Sequence, residues 1–399
     1  MPIIFYHFES FLTLFAYTTT IPKGENVAKI KVVDTTKTSQ TTRKVVLQKI
    51  TPQLVAQALV VLAIFGVFIF ALPNLPQTPA TGANGGYKGV INLWLVDSFE
   101  GGSGSRQSWF TKQASKFEQQ NKGLFVCVTI LTETQLLEKL DQGQNFDMLC
   151  FSRGVGAKML DKLAPLDVDS GMVLDNFAES GKVNNTTYAV PVYTGVYCLF
   201  ARSSQQKGDI LANCLNTTFV RKVGKNNVTL APMVCGFTTY NSPLTALSAS
   251  GVKGTFQPDY NKSQYTAYEQ FVANKTAVTL LGTQRDMYRL DKRLELGKMD
   301  PLLFAPLCGY TDLVSYVAIG CNTTNLAPCK KFVEYLLCDS VQQSVVDISM
   351  FSVTHQNLYT KAWYVLCEQG LGSANVPNLF ADDNAIANAR QMALQTLQQ

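Results

Sequence analysis

The sequence predicts an α/β domain carried behind a single N-terminal membrane helix. Three observations lead there. Residues 58–72 read ALVVLAIFGVFIFAL, without one polar side chain. From Val90 onward, short apolar runs alternate with amphipathic stretches. The composition, 46% apolar with 23 Phe and 16 Tyr, offers ample surface to bury and excludes a wholly disordered chain.

The membrane helix follows from length. The run extends back to Leu54 with Gln57 as its one interruption, giving 19 residues that Pro73 closes. A helix needs about 20 to cross about 30 Å of hydrocarbon. Residues 1–52 hold seven Lys/Arg against three Asp/Glu, which accounts for most of the net charge of +5. Arg43, Lys44 and Lys49 precede the span and only Lys88 follows it closely, so the positive-inside rule puts the N-terminus in the cytoplasm. The expected organisation is a cytoplasmic tail (1–52), an anchor (53–73), a Pro/Gly linker (74–89) and an extracellular domain (90–399). The remainder is near neutral, which speaks against a nucleic-acid partner.

Within the domain, Val90–Val96, Leu124–Leu131 and Phe146–Phe151 read as strands. Between them Ser105–Asn121 and Glu133–Leu140 have helical spacing, the first stopped by Gly123. This β-α-β-α-β series predicts a parallel sheet covered by helices. A short helix is expected over Ala157–Leu163 and a long apolar strand, interrupted by Pro191 and Gly195, over Ala189–Ala201. The stretch 203–260 looks irregular. Helices at Tyr265–Asn274, Ala327–Cys338 and Asp382–Gln399 alternate with strands at Ala277–Leu281, Leu302–Pro306 and Val314–Ile319.

The order of these segments resembles the extracellular solute-binding proteins of bacterial ABC importers, in the sugar and oligosaccharide branch similar to maltose-binding protein. INLWLVDSFEGG is similar to the family's first strand and ligand-facing loop, and SWFTKQASKFEQQNKG to the helix that follows. FVCVTIL, NFDMLCFS and LAPLD match the next two strands and a stop. NNTTYAVPVYTGVYCLFAR resembles the segment that crosses between lobes; ANKTAVTLLGTQ and KKFVEYLLCDSVQQ resemble a later strand and helix. The resemblance covers about residues 90–399. It departs at 203–260, where the family's proline-threonine-tryptophan segment is missing. It implies a periplasmic-binding-protein-like two-lobe fold with an interlobe cleft, lobe 1 about 90–196 and 313–358, lobe 2 about 197–312 and 359–399. It also implies capture of a small solute by hinge closure and delivery to an ABC permease.

The candidate ligand-binding residues come partly from chemistry and partly from that resemblance. Ser98, Phe99 and Glu100 lie in a glycine-rich loop entering a helix, where backbone N–H groups hold oxygen-rich groups; a plain flexible turn explains them equally well. Ser152 and Arg153 follow the third strand, and the resemblance places that loop against ligand; the alternative is a solvated charge. Tyr193 and Thr194 sit at the crossing, with core packing as the alternative. Tyr240 and Asn241 fall in the irregular middle. Gln284 and Arg285 occupy a loop where the family often stacks an aromatic on sugar, so this chain favours hydrogen bonding there.

Enzymatic chemistry finds little support. His7 and His355 are the only histidines, and neither a metal-binding histidine pair nor a G-x-S-x-G elbow occurs. No cofactor is expected. The ten cysteines all follow the anchor and permit disulfides, Cys321 with Cys329 being the best local pair, although several sit in apolar runs that suit free thiols. Two other functions fit the same layout: a ligand-sensing ectodomain for a membrane partner, and an anchored extracellular enzyme.

Overall fold

The computed structural model describes residues 88–96, 105–168, 170–273 and 276–399. The expected tail, anchor and most of the linker lie outside them, as do Ser98, Phe99 and Glu100. No described helix is long and apolar enough to cross a membrane.

Two sheets, each with its own helices, form two lobes. The chain starts in the first with β1 (Gly89–Val96), α1 (Arg106–Gln120), β2 (Leu124–Leu131), α2 (Glu133–Asp141) and β3 (Met148–Phe151). Each helix begins where a side chain takes up an orphan N–H. Ser105 caps α1 through the Ser108 amide, and Thr132 and Gln135 cap α2 reciprocally. Phe110, Ala114 and Phe117 of α1 turn inward. A short α3 (Gly156–Met159), α4 (Asp175–Ala178) and a small hairpin of β4 (Lys182–Val183) and β5 (Thr186–Thr187) lead to β6 (Ala189–Thr194).

In place of the single interrupted strand expected over Ala189–Ala201, there are two strands in different sheets. β6 stays in the first sheet, and β7 (Tyr197–Arg202) opens the second. The break falls at Gly195, where a Cβ would stand 2.7 Å from the Gln284 side-chain oxygen and would press it away from the Val196 amide it accepts from. Pro191, unable to donate to a ladder, coincides with a register shift opposite Ser315 and Tyr316 rather than with the end of the strand.

The second lobe continues with α5 (Ile210–Asn213), β8 (Phe219–Val223), β9 (Asn226–Cys235), α6 (Pro243–Ala249), α7 (Gln264–Val272), β10 (Ala277–Thr283), α8 (Gln284–Glu295) and β11 (Leu302–Leu307). The stretch read as irregular therefore holds a hairpin, turned on Gly224-Lys225 with Gly224 at φ 62. The chain then returns to the first lobe for β12 (Val314–Ile319), α9 (Leu326–Leu337), α10 (Asp339–Gln343) and β13 (Phe351–Ser352). It ends with α11 (Ala362–Leu371), packed on β11, and α12 (Asp383–Gln398), packed on α6.

The first sheet has the order β13-β6-β12-β3-β1-β2 and the second β11-β7-β10-β9-β8. Neither is the all-parallel sheet the βαβ series predicts. In the first, β1, β2 and β3 are parallel and β12 runs against β3; in the second only β9 and β10 are parallel. The returning segments insert antiparallel strands because the chain shuttles between lobes. The first core is built on Phe117 edge-on to Phe332 at 4.9 Å and Trp109 edge-on to Tyr193 at 5.8 Å. The second has Trp363 stacked on Phe304 at 4.7 Å. Trp94 is buried, as its place in a strand suggests.

Candidate functional site

Three passages join the lobes: Gly195-Val196, residues 308–313, and the segment after β13. The first two are tied together. The Gly195 amide donates to the Leu313 carbonyl at 2.6 Å, and the hydroxyls of Thr194 and Thr311 both donate to the Gly195 carbonyl at 3.0 Å. Gln284, the first residue of α8, accepts from the Val196 amide at 3.0 Å. Thr194 and Gln284 are fully buried, so both pack into the junction of the two lobes. Tyr193 is also fully buried, its ring against Trp109 and Phe110 in the first core. Of the two readings open for Tyr193, the structure shows core packing.

Arg153 does not stand in solvent. Its guanidinium Nη1 donates to the Asp312 carboxylate at 3.1 Å, the Tyr310 hydroxyl at 2.8 Å and the Ser242 hydroxyl at 3.3 Å. Asp312 also accepts from the Tyr197 hydroxyl at 2.5 Å and the Ser242 amide at 2.8 Å. One carboxylate on the second passage thus gathers donors from the first lobe (Arg153), from β7 and from the start of α6. Burial opposes the guanidinium charge, but Tyr310 and Asp312 outweigh it and hold Arg153 above its ordinary pKa. Burial, and then Asp312, push the Tyr197 hydroxyl well up. Ser152 is buried beside this cluster.

Tyr240 reaches across from the second lobe. Its hydroxyl donates to Glu133 at 3.2 Å, and Lys158 donates to it at 3.3 Å. Its ring covers Gly154, held at φ 100, where any Cβ would collide with it. Glu133 also pairs with Lys158 at 2.7 Å.

Beside this contact the second lobe has a cavity of about 440 Å³, lined by Phe237, Thr238, Asn241, Tyr260, Lys262 and Arg285 among others. It lies beyond the carboxyl ends of the parallel pair β9 and β10, where open sheets place ligands. The N-termini of α7 and α8 also meet there through Ser263, Gln264 and Arg285. The loop after β9 is braced from within and from behind. Asn241 accepts from the Thr238 hydroxyl at 3.0 Å, and Arg390 of α12 donates to the carbonyls of Thr239 and Asn241. Volume and lining suit a small polar molecule. A second cavity of about 410 Å³ sits at the other end of the sheet, where Arg202 donates to the Phe271 carbonyl and serves as a helix C-cap.

Arg285 thus lines the cavity and Tyr240 flanks it, while Ser152, Arg153, Thr194 and Gln284 lie at or beside the passages between the lobes and Tyr193 in the first core. Tyr260, Lys262, Ser263 and Tyr265 were not singled out from the sequence, although Ser263 ahead of an amphipathic stretch is an N-cap signal. The described cysteines are free thiols; Cys321 is exposed and Cys329 buried, so the expected pair is not bonded. Among the described residues no group of three or more His, Cys, Asp or Glu is placed to hold a metal.

No family model and no curated protein matches the chain. Solved structures do, at low identity. The GacH receptor of Streptomyces glaucescens, solved unliganded and with acarbose, is 15% identical over 78% of this chain and 93% of its own, with a TM-score of 0.51. CpMnBP1 with mannotriose bound gives 9% identity over 77% and 98%, TM-score 0.53. A cyclo/maltodextrin-binding protein complexed with maltotetraose gives 11% over 78% and 95%, TM-score 0.50. The structural neighbours are maltose, maltodextrin and oligosaccharide substrate-binding proteins, and the fold of this chain is their two-lobe α/β fold.

Proposed function

We propose that the chain is a membrane-tethered extracellular solute-binding protein that captures a carbohydrate by closure of its lobes and hands it to an ABC permease. The observation that carries this reading is the cavity at the carboxyl ends of β9 and β10, next to the passages that connect the lobes. Affinity comes from converging hydrogen bonds and the faces of Tyr260 and Tyr265, and no bond is made or broken. Lobe 1 comprises about 90–196 and 313–358, lobe 2 about 197–312 and 359–399. Tyr240 and Arg285 act on the ligand side. Ser98, Phe99 and Glu100, outside the described residues, join them as candidates on the strength of their glycine-rich sequence. Arg153 serves closure through Asp312 rather than by touching solute.

The anchor over 53–73, with the tail 1–52 inside and the linker 74–89 outside, rests on the apolar run and its flanking charge. Alkaline extraction of membranes tests it: the full chain stays with the pellet, and release into the supernatant refutes it. Thermal unfolding against a panel of saccharides tests the receptor. A solute at 100 times its Kd adds about 2.7 kcal/mol of stability and is recovered unchanged. Turnover of the solute, or no shift with any saccharide, refutes the proposal.

A further inference from the structure

We infer that the β8–β9 hairpin is an arm that rests on an anionic membrane surface, its valines among the lipid head groups and its cations on their phosphates. The inference goes beyond the receptor reading and needs neither the cavity nor its solute.

β9 pairs with β10 only from Ala231 onward. Among the described residues, 226–230 pair with β8 alone, so with Phe219–Val223 they form a two-stranded ribbon at the edge of the sheet. Val220 is 55%, Val223 46% and Val228 40% exposed. Val220 pairs with Thr229, and Arg221 with Val228, which puts Val220 on one face of the ribbon and Val223 and Val228 on the other. The ribbon also carries Arg221, Lys222 and, in its turn, Lys225, and residues 210–258 contain neither Asp nor Glu.

Charges on an edge strand keep a second edge from pairing with it, which accounts for Arg221 and Lys222. It does not account for valines left in water on both faces of a ribbon that is marginal by itself. A folded protein seated on one face leaves the valine of the other bare. Lipid head groups close around both faces, take apolar side chains at their boundary and offer phosphates to all three cations. The tether proposed above keeps the domain beside such a surface, and the arm sets which way the domain lies on it.

The test uses the full chain with Val223→Trp, reconstituted and floated with vesicles of brominated phosphatidylglycerol or brominated phosphatidylcholine. The unsubstituted chain gives the background from Trp94, Trp109 and Trp363. The emission that Val223→Trp adds should fall by about half or more with phosphatidylglycerol, stay unchanged with phosphatidylcholine and recover in high salt. Lys222→Gln combined with Lys225→Gln should restore it too, with unchanged melting. Loss with neither lipid, equal loss with both, or a loss that survives salt and the lysine substitutions overturns the inference; flotation with both lipids then leaves the anchor standing. A partner protein is the alternative such a result favours. Flotation with phosphatidylglycerol alone, with the emission quenched, keeps the arm and overturns the anchor. Flotation with neither lipid overturns both.

Discussion

Asp312→Ala is the most informative single perturbation. The Asp312 side chain is fully buried and the Arg153 side chain 5% exposed, so water does not compensate for a missing partner. The substitution removes acceptors from Arg153 at 3.1 Å, the Ser242 amide at 2.8 Å, Tyr197 at 2.5 Å and Tyr310 at 3.2 Å. It also strands a guanidinium whose Nε has no partner already. Removing one member of a buried pair costs about 3–5 kcal/mol. In a domain this large that lowers the melting temperature by roughly 10 °C. Thermal and urea unfolding of the wild type, Asp312→Ala, Arg153→Met and the double variant measure it. The double variant should cost less than the sum of the singles by more than about 1 kcal/mol, because it leaves no charge unpaired. A cost below about 1 kcal/mol for Asp312→Ala, or strict additivity, refutes the claim that this pair holds the passages to the first lobe.

Burial lifts the Asp286 carboxyl to about 6 against the Thr283 amide bond that lowers it. The folded state therefore binds the proton more tightly than the unfolded chain. The stability from this group is complete below about pH 4 and is lost as pH rises through 6. The loss is on the order of 2 kcal/mol; urea unfolding at both ends of that window should show Asp286→Asn flattening the slope. Gly154→Ala drives a methyl into the Tyr240 ring at a positive φ and should cost about 1–3 kcal/mol in urea unfolding. Adding Tyr240→Ala should recover part of it. Maleimide labelling followed by mass spectrometry should find the exposed Cys127 and Cys321 modified first. Cys235 and Cys329, buried and with thiols pushed up to about 12, should react only as the chain unfolds.

The first lobe was legible because its early elements are consecutive and regularly patterned. Leu124–Leu131 and the Phe110, Ala114, Phe117 stripe carry their periodicity openly, and both ends of α1 are marked. The β8–β9 hairpin was not, because the first part of β9, Asn226–Thr229, is exposed and polar and reads as loop. α11 escaped because its apolar residues, spread around the helix, give no single clear face. The site was harder still. Arg153 and Asp312 lie 159 residues apart, and no local pattern shows a guanidinium that it will be buried beside a carboxylate of the returning chain. Lys262 and Arg285 likewise become neighbours only because β9 and β10 pair in parallel.

The support that α12 gives the cavity has a consequence for how the protein is made. Arg390 of α12 holds the carbonyls of Thr239 and Asn241 in place. A ribosome emits the loop after β9 long before the helix that steadies it, at about 5–20 residues per second. During that interval both lobes are also incomplete, since β12 and β13 of the first arrive after the whole second sheet. The loop after β9 is therefore steadied only once α12 has been made, and a product that stops before Arg390 lacks that support.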